Sequence, residues 1–254
     1  MSISILTPYK LFFTTQADIL YALMKDGRIL KIKQIPYFSN LSSDRTMLCG
    51  IFFDGENTHI MSSSLGVDSF EKKEIASLFG YFYYPCLSKT GKMMAIIEAD
   101  LLKPKPQGEL QIYIKKIKRW YLQKSLPAKM KSPFLSSIDE SVFFIDEQSN
   151  LCKLLGDNKT VLAIDVLFFA LSASQTKIVY YNGSIVYVYS LLNRAEITSF
   201  PATNLTALCF DATENEILFS VSQDNRYAIY SQNYKTNKTV LLAQPDESVV
   251  LISS

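Results

Sequence analysis

Short apolar segments alternate with polar turn clusters along the whole chain. The clearest stretch runs from Leu205 to Leu242, and it contains four apolar segments: Leu205 to Phe210, Ile217 to Val221, Tyr227 to Tyr230 and Val240 to Leu242. The clusters between them are rich in Asp, Asn, Thr and Gln, which favour the reversal of an antiparallel strand. This pattern predicts a meander of four antiparallel strands.

The same pattern recurs along the chain and predicts about six such units. Their second segments begin near residues 10, 46, 93, 141, 177 and 216, so the period is about 40 residues, which is typical of propeller blades. The predicted blades are residues 2–35, 36–78, 81–126, 132–164, 166–200 and 205–243. We predict that residues 1–254 form a single domain.

The second segment of each unit favours a propeller over a two-sheet sandwich, which is the alternative. Segments such as Met93 to Ile97, Val142 to Ile145 and Ile217 to Phe219 are apolar without alternation, which indicates that both faces are covered. Fourth segments such as Ala195 to Thr198 alternate or turn polar. A radial array buries inner strands and exposes outer ones. We therefore predict an all-β fold, a six-bladed β-propeller of four-stranded antiparallel blades.

Two local patterns leave alternatives open. Residues 68–80 have the start and stop signals of a short helix, but Glu74 to Leu78 resembles Glu196 to Phe200, so we predict a strand. The tail, residues 245–254, could close the circle by adding a strand to the first unit, or Ser2 to Leu6 could complete the last unit.

Part of the repeat resembles a known family. Ala170 to Ser190 resembles the TolB-type propeller repeat, in which S-P-D-G-x-x-I-x-[FY] opens a blade and an I-Y-V-Y-type strand follows. Leu87 to Ala95 and Ala207 to Phe219 are similar, although no Pro follows the Ser and the D-G pair is replaced. The resemblance covers about half of the chain, and the G-H and W-D signatures of WD repeats are missing. It implies a TolB-like, WD-repeat-like six-bladed propeller and says little about activity, because propellers host unrelated functions.

Composition and charge limit the kinds of ligand and cellular location that we expect. The chain has 254 residues, 48% hydrophobic content and a formal net charge of +2, so nothing global favours nucleic acid or a membrane surface. The longest apolar run is far shorter than the roughly 20 residues of a membrane helix, and Met1 to Lys10 lacks the features of a signal peptide. We expect a soluble, cytoplasmic protein. The four widely spaced cysteines each lie in an apolar segment, which predicts buried, reduced thiols.

The sequence contains no complete catalytic set. His59 is the only histidine and no G-x-S-x-G motif exists, so we predict a structural histidine. Zinc spacing and a phosphate-binding glycine loop are missing, so we expect neither a cofactor nor a metal. Asp139, Glu140, Asp211 and Glu214 precede second strands and could line a channel mouth, as in a calcium-dependent lactonase-like propeller. We predict that they are turn residues instead.

One segment departs from the near-neutral charge of the chain. Residues 103–131 contain nine Lys and Arg residues against Glu109 alone. The candidate interaction patch within it surrounds the only tryptophan and consists of Lys115, Lys116, Lys118, Arg119, Trp120 and Tyr121. Such a patch could protect a sheet edge, bind a protein partner or bind nucleic acid by stacking and charge. Apolar alternation breaks at Lys115 and Lys116, which predicts a bulge or a turn there.

These observations favour a non-catalytic protein–protein interaction module or scaffold. The alternative is a small-molecule hydrolase or lyase with a site at the channel mouth, and a third hypothesis is nucleic-acid binding through the basic segment 103–131. We expect a protein partner, and the sequence indicates neither its identity nor the oligomeric state.

Overall fold

Six four-stranded antiparallel sheets make up the structure. The computed structural model describes residues 9–15, 19–34, 38–41, 47–64, 73–100, 107–224 and 226–253. These residues contain no α-helix, and thus none that could cross a membrane. The strands are β1 (Tyr9–Thr15), β2 (Ile19–Met24), β3 (Ile29–Gln34), β4 (Phe38–Leu41), β5 (Met47–Phe53), β6 (Asn57–Ser64), β7 (Lys73–Phe79), β8 (Phe82–Leu87), β9 (Met93–Asp100), β10 (Gln107–Lys116), β11 (Arg119–Ala128), β12 (Phe134–Leu135), β13 (Val142–Ile145), β14 (Leu151–Leu155), β15 (Asn158–Ala163), β16 (Phe168–Leu171), β17 (Lys177–Tyr181), β18 (Ile185–Ser190), β19 (Ala195–Pro201), β20 (Leu205–Phe210), β21 (Glu216–Gln223), β22 (Arg226–Asn233), β23 (Lys238–Ala243) and β24 (Val249–Ser253).

The chain divides into two compact units. The first contains Met1–Ile35 and Phe168–Ser254. It holds sheet 1 (β24-β1-β2-β3), sheet 5 (β16 to β19) and sheet 6 (β20 to β23), each with its strands in that order. Its buried side chains form two clusters, one between sheets 5 and 6 and one between sheets 6 and 1. Phe210 and Ile217 belong to the first cluster, and Phe13 and Leu218 belong to the second.

The second unit contains Pro36–Leu167 and carries the candidate site. It holds sheet 2 (β4 to β7), sheet 3 (β8 to β11) and sheet 4 (β12 to β15). Sheet 3 packs on sheet 2 through residues such as Ile60 and Ile96, and on sheet 4 through residues such as Ile97 and Phe144. Sheet 3 is therefore covered on both faces near its inner strands.

Burial falls from the inner to the outer strands, as the apolar pattern predicts. All four residues of β13 are buried, as are Met94 to Ile97 of β9. In contrast, the first four residues of β15, a fourth strand, are exposed. The predicted fold class, a six-bladed β-propeller of four-stranded antiparallel blades, is confirmed.

The structure also settles several local alternatives. Within residues 68–80, Lys73–Phe79 is the strand β7, as predicted, whereas residues 68–72 lie outside the described residues. In the tail, β24 pairs with β1 in antiparallel register, with Ile252 opposite Phe13, whereas Ser2 to Leu6 lies outside the described residues. The prediction of buried thiols that form no disulfide is confirmed at Cys49, Cys86, Cys152 and Cys209.

Candidate functional site

The basic segment forms a long hairpin between β10 and β11, two strands of ten residues each. Near its end the paired residues are Ile114 with Tyr121, Lys115 with Trp120, and Lys116 with Arg119. Ile117 and Lys118 form the connecting two-residue turn, so of the bulge or turn predicted at Lys115 and Lys116 the structure has a turn, directly after these residues. A register shift between Ile112 and Tyr113 adds a bulge further along the hairpin.

The turn places an apolar side chain in solvent at the end of the hairpin. Ile117 has a positive φ of 59° and is 98% exposed, whereas the φ of Lys118 is not positive. Positive φ at the first central residue alone is the pattern of a type II′ turn, which favours Gly at this position. A β-branched residue with positive φ is uncommon because its Cβ crowds the backbone. Ile117 therefore carries backbone strain and gains no burial within the chain.

Five of the six residues of the predicted patch lie on two opposite faces of the hairpin, and the sixth, Lys118, lies in the turn. Directly paired residues share a face of a sheet, and faces alternate along each strand. Lys115 and Trp120 consequently lie on the face that packs against sheet 2. Lys116, Arg119 and Tyr121 lie on the opposite face. The sequence pattern correctly indicated that these residues lie together at one tip, but it did not indicate which face of the hairpin each residue occupies.

Trp120 contributes to the packing between neighbouring sheets. Its indole Nε1 donates a hydrogen bond of 3.0 Å to the carbonyl oxygen of Ile75 in β7. The half-buried ring also packs against the cluster between sheets 2 and 3. The Nζ of Lys115 lies 5.4 Å from the centre of the ring, within the range of a cation–π contact. Trp120 thus stabilises the packing of β11 against sheet 2 and positions the Lys115 ammonium group.

At the tip, the opposite face of the hairpin is open to solvent, whereas further along it packs against sheet 4. Tyr121 is 47% exposed, and the Nζ of Lys116 lies 5.9 Å from the centre of its ring. Arg119 beside them is also exposed. Further along, the Nζ of Lys124 lies 2.8 Å from Oδ1 of Asp157 in the turn between β14 and β15, so this lysine is engaged by sheet 4. The available cations are therefore those at the hairpin tip.

A second turn adds two cations at the same end of sheet 3. The backbone amide of Lys115 donates a hydrogen bond of 2.7 Å to the carbonyl oxygen of Lys92, in the turn between β8 and β9. Lys89 and Lys92 are both exposed in this turn. They were not predicted as part of the patch because they lie outside the basic segment. The Lys-Thr-Gly-Lys run at residues 89–92 is the sequence feature that could have indicated a basic turn there. The basic hairpin surface, as we define it, consists of Lys89, Lys92, Lys115, Lys116, Ile117, Lys118, Arg119 and Tyr121.

The cations at the hairpin tip, Lys116, Lys118 and Arg119, have no carboxylate partner among the described residues. Elsewhere in the described residues, lysines engage carboxylates at 2.7 to 3.1 Å, as in the pairs Lys153 with Asp139, Lys159 with Asp146, and Lys177 with Glu214. The positive charge at the hairpin tip is therefore available to a ligand.

Two of the acidic residues that could have lined a channel mouth, Asp139 and Asp211, accept hydrogen bonds within turns. Asp139 accepts hydrogen bonds of 2.7 Å from both Lys153 Nζ and Ser141 Oγ. Burial raises the pKa of Asp139, but these hydrogen bonds outweigh it and hold the pKa below its usual range. Asp211 accepts bonds from three backbone amides of its own turn. The described residues contain no group of three or more His, Cys, Asp or Glu side chains that could hold a metal ion.

Glu214 links sheets 5 and 6 of the other compact unit. Its carboxylate accepts a hydrogen bond of 2.8 Å from Ser174 Oγ and lies 3.1 Å from Lys177 Nζ. Burial raises the pKa of Glu214, but the bonds from Ser174 and Lys177 outweigh it and lower the pKa. Glu140, the remaining residue of the predicted acidic set, is exposed and has a positive φ of 57°.

His59 belongs to a small polar network on sheet 2. Its Nε2 lies 2.9 Å from Oδ2 of Asp54, and its Nδ1 lies 3.2 Å from Oε2 of Glu74. The hydrogen bond to Asp54 and the charges of both acids raise the pKa of His59 above its usual value. Both ring nitrogens are thereby engaged, as expected for a structural histidine.

The fold resembles that of solved β-propellers, although the sequence does not match theirs closely. The chain matches no protein-family model, and no curated protein matches it significantly in sequence. TolB from Acinetobacter baumannii superimposes with a TM-score of 0.68 at 14% identity, over 94% of this chain and 64% of that one. This chain thus spans less than two thirds of the length of TolB. The fold is that of a TolB-like six-bladed propeller.

Other solved propellers are similar to a comparable degree. A chain of the nidogen/laminin complex has a TM-score of 0.67 at 13% identity, and the match covers 96% of this chain and 97% of that one. An oligogalacturonate lyase in complex with manganese has a TM-score of 0.62 at 16% identity, with 91% and 72% covered. At these identities the likeness shows the fold alone, and the same fold serves in proteins of different function.

Proposed function

We propose that this protein is a non-catalytic protein–protein interaction module or scaffold, and that the basic hairpin surface contacts its partner. The observation that carries this proposal is the arrangement at the tip, where the exposed Ile117 lies among Lys116, Lys118 and Arg119 and no described carboxylate pairs with these cations. Arginine and aromatic residues are enriched at protein interfaces, where a few such residues supply most of the binding energy.

Protection of a sheet edge explains these cations less well. Edge lysines act along the open side of an outer strand, where they oppose pairing with another chain. In this hairpin the cations cluster at the turn, whereas Tyr121 and Leu122 along the outer strand are about half exposed, at 47% and 51%. Lys115 and Lys116 also each contact an aromatic ring, which lowers the entropy lost when a partner binds them.

The test is affinity purification of the full chain from cells of its source organism. We expect the wild-type protein to retain a specific protein that is lost with the double variant Lys116→Glu/Arg119→Glu. The matched control is Lys25→Glu/Lys238→Glu, because these two lysines are exposed in the other compact unit. Recovery of the same proteins by both double variants would contradict a role for the hairpin surface.

An enzymatic function, as a small-molecule hydrolase or lyase, is the alternative proposal. It is supported by the similar fold of the oligogalacturonate lyase in complex with manganese. We therefore pair the purification with turnover assays on oligogalacturonate, with and without added Mn²⁺. Metal-dependent turnover, together with the absence of any retained protein, would replace the interaction proposal.

Nucleic-acid binding through residues 103–131 is supported by the exposed Tyr121 ring beside Lys116, since aromatic rings among cations stack on bases. It requires binding of single-stranded RNA or DNA that weakens steeply with salt. The charge-reversed double variant should then lose binding and flatten the salt dependence. Equal binding by the wild type and this variant would exclude the hairpin surface as the site.

A further inference from the structure

Ile117 is an unfavourable residue for the position it occupies. Its positive φ of 59° strains the backbone, and its 98% exposed side chain makes no compensating apolar contact in the folded chain. Strained residues concentrate at binding and catalytic positions, where a function outside the fold maintains them. An Asn or a Gly would form this turn with less strain.

A binding partner can compensate for this strain by burying the side chain. Removal of one isoleucine side chain from water changes an affinity by about tenfold or more. The residues around Ile117 add further apolar contact area, since Tyr121 and Leu122 are about half exposed on opposite faces of β11. The tip therefore combines an apolar centre with a rim of cations, which is the general organisation of a protein interface.

The charges around Ile117 define the chemistry of the partner. Lys118 and Arg119 flank the tip, and Lys115 and Lys116 point to opposite faces of the hairpin, each beside an aromatic ring. A flat membrane surface would meet the tip but not the open face that carries Lys116, Arg119 and Tyr121. Nucleic acid would meet the cations with its phosphates but would gain little from Ile117, because phosphate contacts are electrostatic. A flexible polypeptide can contact this open face and Ile117 together.

We propose that the basic hairpin surface binds an acidic segment of a partner protein, whose apolar side chains pack over Ile117 while its carboxylates contact Lys116, Lys118 and Arg119. This inference rests on the proposed function and specifies its partner. Ile117 is the apolar anchor of the complex, and Lys116, Lys118 and Arg119 select for negative charge.

The experiment selects ligands with a display library of random linear peptides on the full chain. Peptides that also bind Lys116→Glu/Arg119→Glu are removed by counter-selection. We expect the enriched peptides to combine Asp or Glu with large apolar residues. Their synthetic copies should lose about tenfold or more in affinity with Ile117→Asn, by fluorescence anisotropy.

The matched control is Ile117→Val, which keeps a β-branched apolar side chain at the same φ. It should weaken the selected peptides by no more than about fourfold, the effect of one methylene group. The thermal unfolding midpoint of each variant shows whether a loss of affinity reflects unfolding. Equal affinity for wild type and Ile117→Asn would overturn the role of Ile117 as an anchor.

Two further probes separate this inference from its competitors. Binding of a uridine-rich RNA oligonucleotide that outcompetes the peptides and is insensitive to Ile117→Asn would overturn it in favour of nucleic acid. Sedimentation with vesicles of phosphatidylcholine and phosphatidylserine, lost with Ile117→Asn, would overturn it in favour of a membrane. A photo-crosslinker at position 118 tests the partner itself. If a purified partner crosslinks from a photo-crosslinker at position 238 and not from position 118, this inference and the assignment of the hairpin surface fail, while the proposal of an interaction module stands.

Discussion

Sheets 3 and 4 are neighbours in one compact unit and use charged residues in opposite ways. In sheet 4, Asp146 is only 2% exposed, and its Oδ2 lies 2.8 Å from Lys159 Nζ. In sheet 3, Lys116 and Arg119 extend into solvent at the hairpin tip, and no described carboxylate pairs with them. Paired charges inside the fold serve stability, whereas unpaired charges at a tip remain available for recognition.

The buried carboxylate of Asp146 accepts several hydrogen bonds. In addition to the Lys159 ammonium group, its carboxylate accepts hydrogen bonds from the backbone amides of Gln148 and Asn150 and from the Asn150 side chain. Cys152 Sγ donates a further contact of 3.5 Å, and burial raises the pKa of this thiol to about 11. The carboxylate thus organises the turn between β13 and β14 and links it to β15.

The largest expected effect follows from breaking this network. Asp146→Ala leaves Lys159 and two backbone amides without their acceptor, and because Lys159 is 40% exposed we expect the free energy of unfolding to fall by about 2 to 3 kcal/mol. Chemical denaturation of the full chain measures it. The control is Asp139→Ala, whose side chain is 33% exposed and whose loss should cost about 1 kcal/mol. Equal losses for the two variants would contradict a special role for the buried carboxylate.

The network around Asp146 also predicts that the free energy of unfolding depends on pH. Burial raises the pKa of Asp146, but the hydrogen bonds from Lys159 and Asn150 outweigh it and lower the pKa. Because the folded-state pKa is lower than that of the unfolded chain, the carboxylate stabilises the fold at neutral pH, and this contribution is lost as the pH falls below about 4. Wild type should therefore lose more stability than Asp146→Ala between neutral pH and the acid range.

Within the hairpin, Trp120 packs between sheets 2 and 3, whereas its neighbour Tyr121 faces solvent. Trp120→Phe removes the donor to the Ile75 carbonyl oxygen, so we expect a loss of about 1 to 3 kcal/mol in the free energy of unfolding. Tyr121→Phe is the matched control, since this ring is 47% exposed and its loss of a hydroxyl should change stability by less than about 0.5 kcal/mol. A reversed order would place Tyr121 rather than Trp120 in the packing between sheets.

The fold could be predicted from the sequence because its signal is repeated in every unit. Uninterrupted apolar second strands such as Val142–Ile145 require cover on both faces, and the buried pattern of β13 bears this out. The roles within the basic patch could not be separated in the same way. Whether Trp120 faces a neighbouring sheet or solvent depends on strand register, and this register is set by a bulge near Ile112 that has no distinct sequence signal.

The extent of the basic hairpin surface could not be predicted from the sequence either. Lys89 and Lys92 join the hairpin through a backbone hydrogen bond between Lys115 and Lys92, a contact between residues distant in sequence. The break in alternation at Lys115 and Lys116 predicted a bulge or a turn there, but it did not predict the positive φ of Ile117, because turn propensities favour Gly or Asn at such a position. The residue that departs from local propensity is the one to which we assign a binding role.

Ile117→Asn should change stability in the opposite direction to the preceding variants. Asn tolerates positive φ better than a β-branched residue, and no burial is lost, so we expect the free energy of unfolding to rise by about 1 kcal/mol. Lys118→Asn is the control, because the φ of Lys118 is not positive and its replacement should have little effect. A loss of stability in Ile117→Asn would show that the side chain makes contacts that support the fold.

The smallest expected effect belongs to the charges that we assign to recognition. Because no described carboxylate pairs with Lys116 or Arg119, Lys116→Glu/Arg119→Glu removes no ion pair from the described residues, and we expect the free energy of unfolding to change by less than about 0.5 kcal/mol. Chemical denaturation in low and high salt measures this change and its screening. A loss comparable to that of Asp146→Ala would mean that the hairpin charges stabilise the fold as those of sheet 4 do, and the contrast between paired and available charge would no longer support an interaction surface.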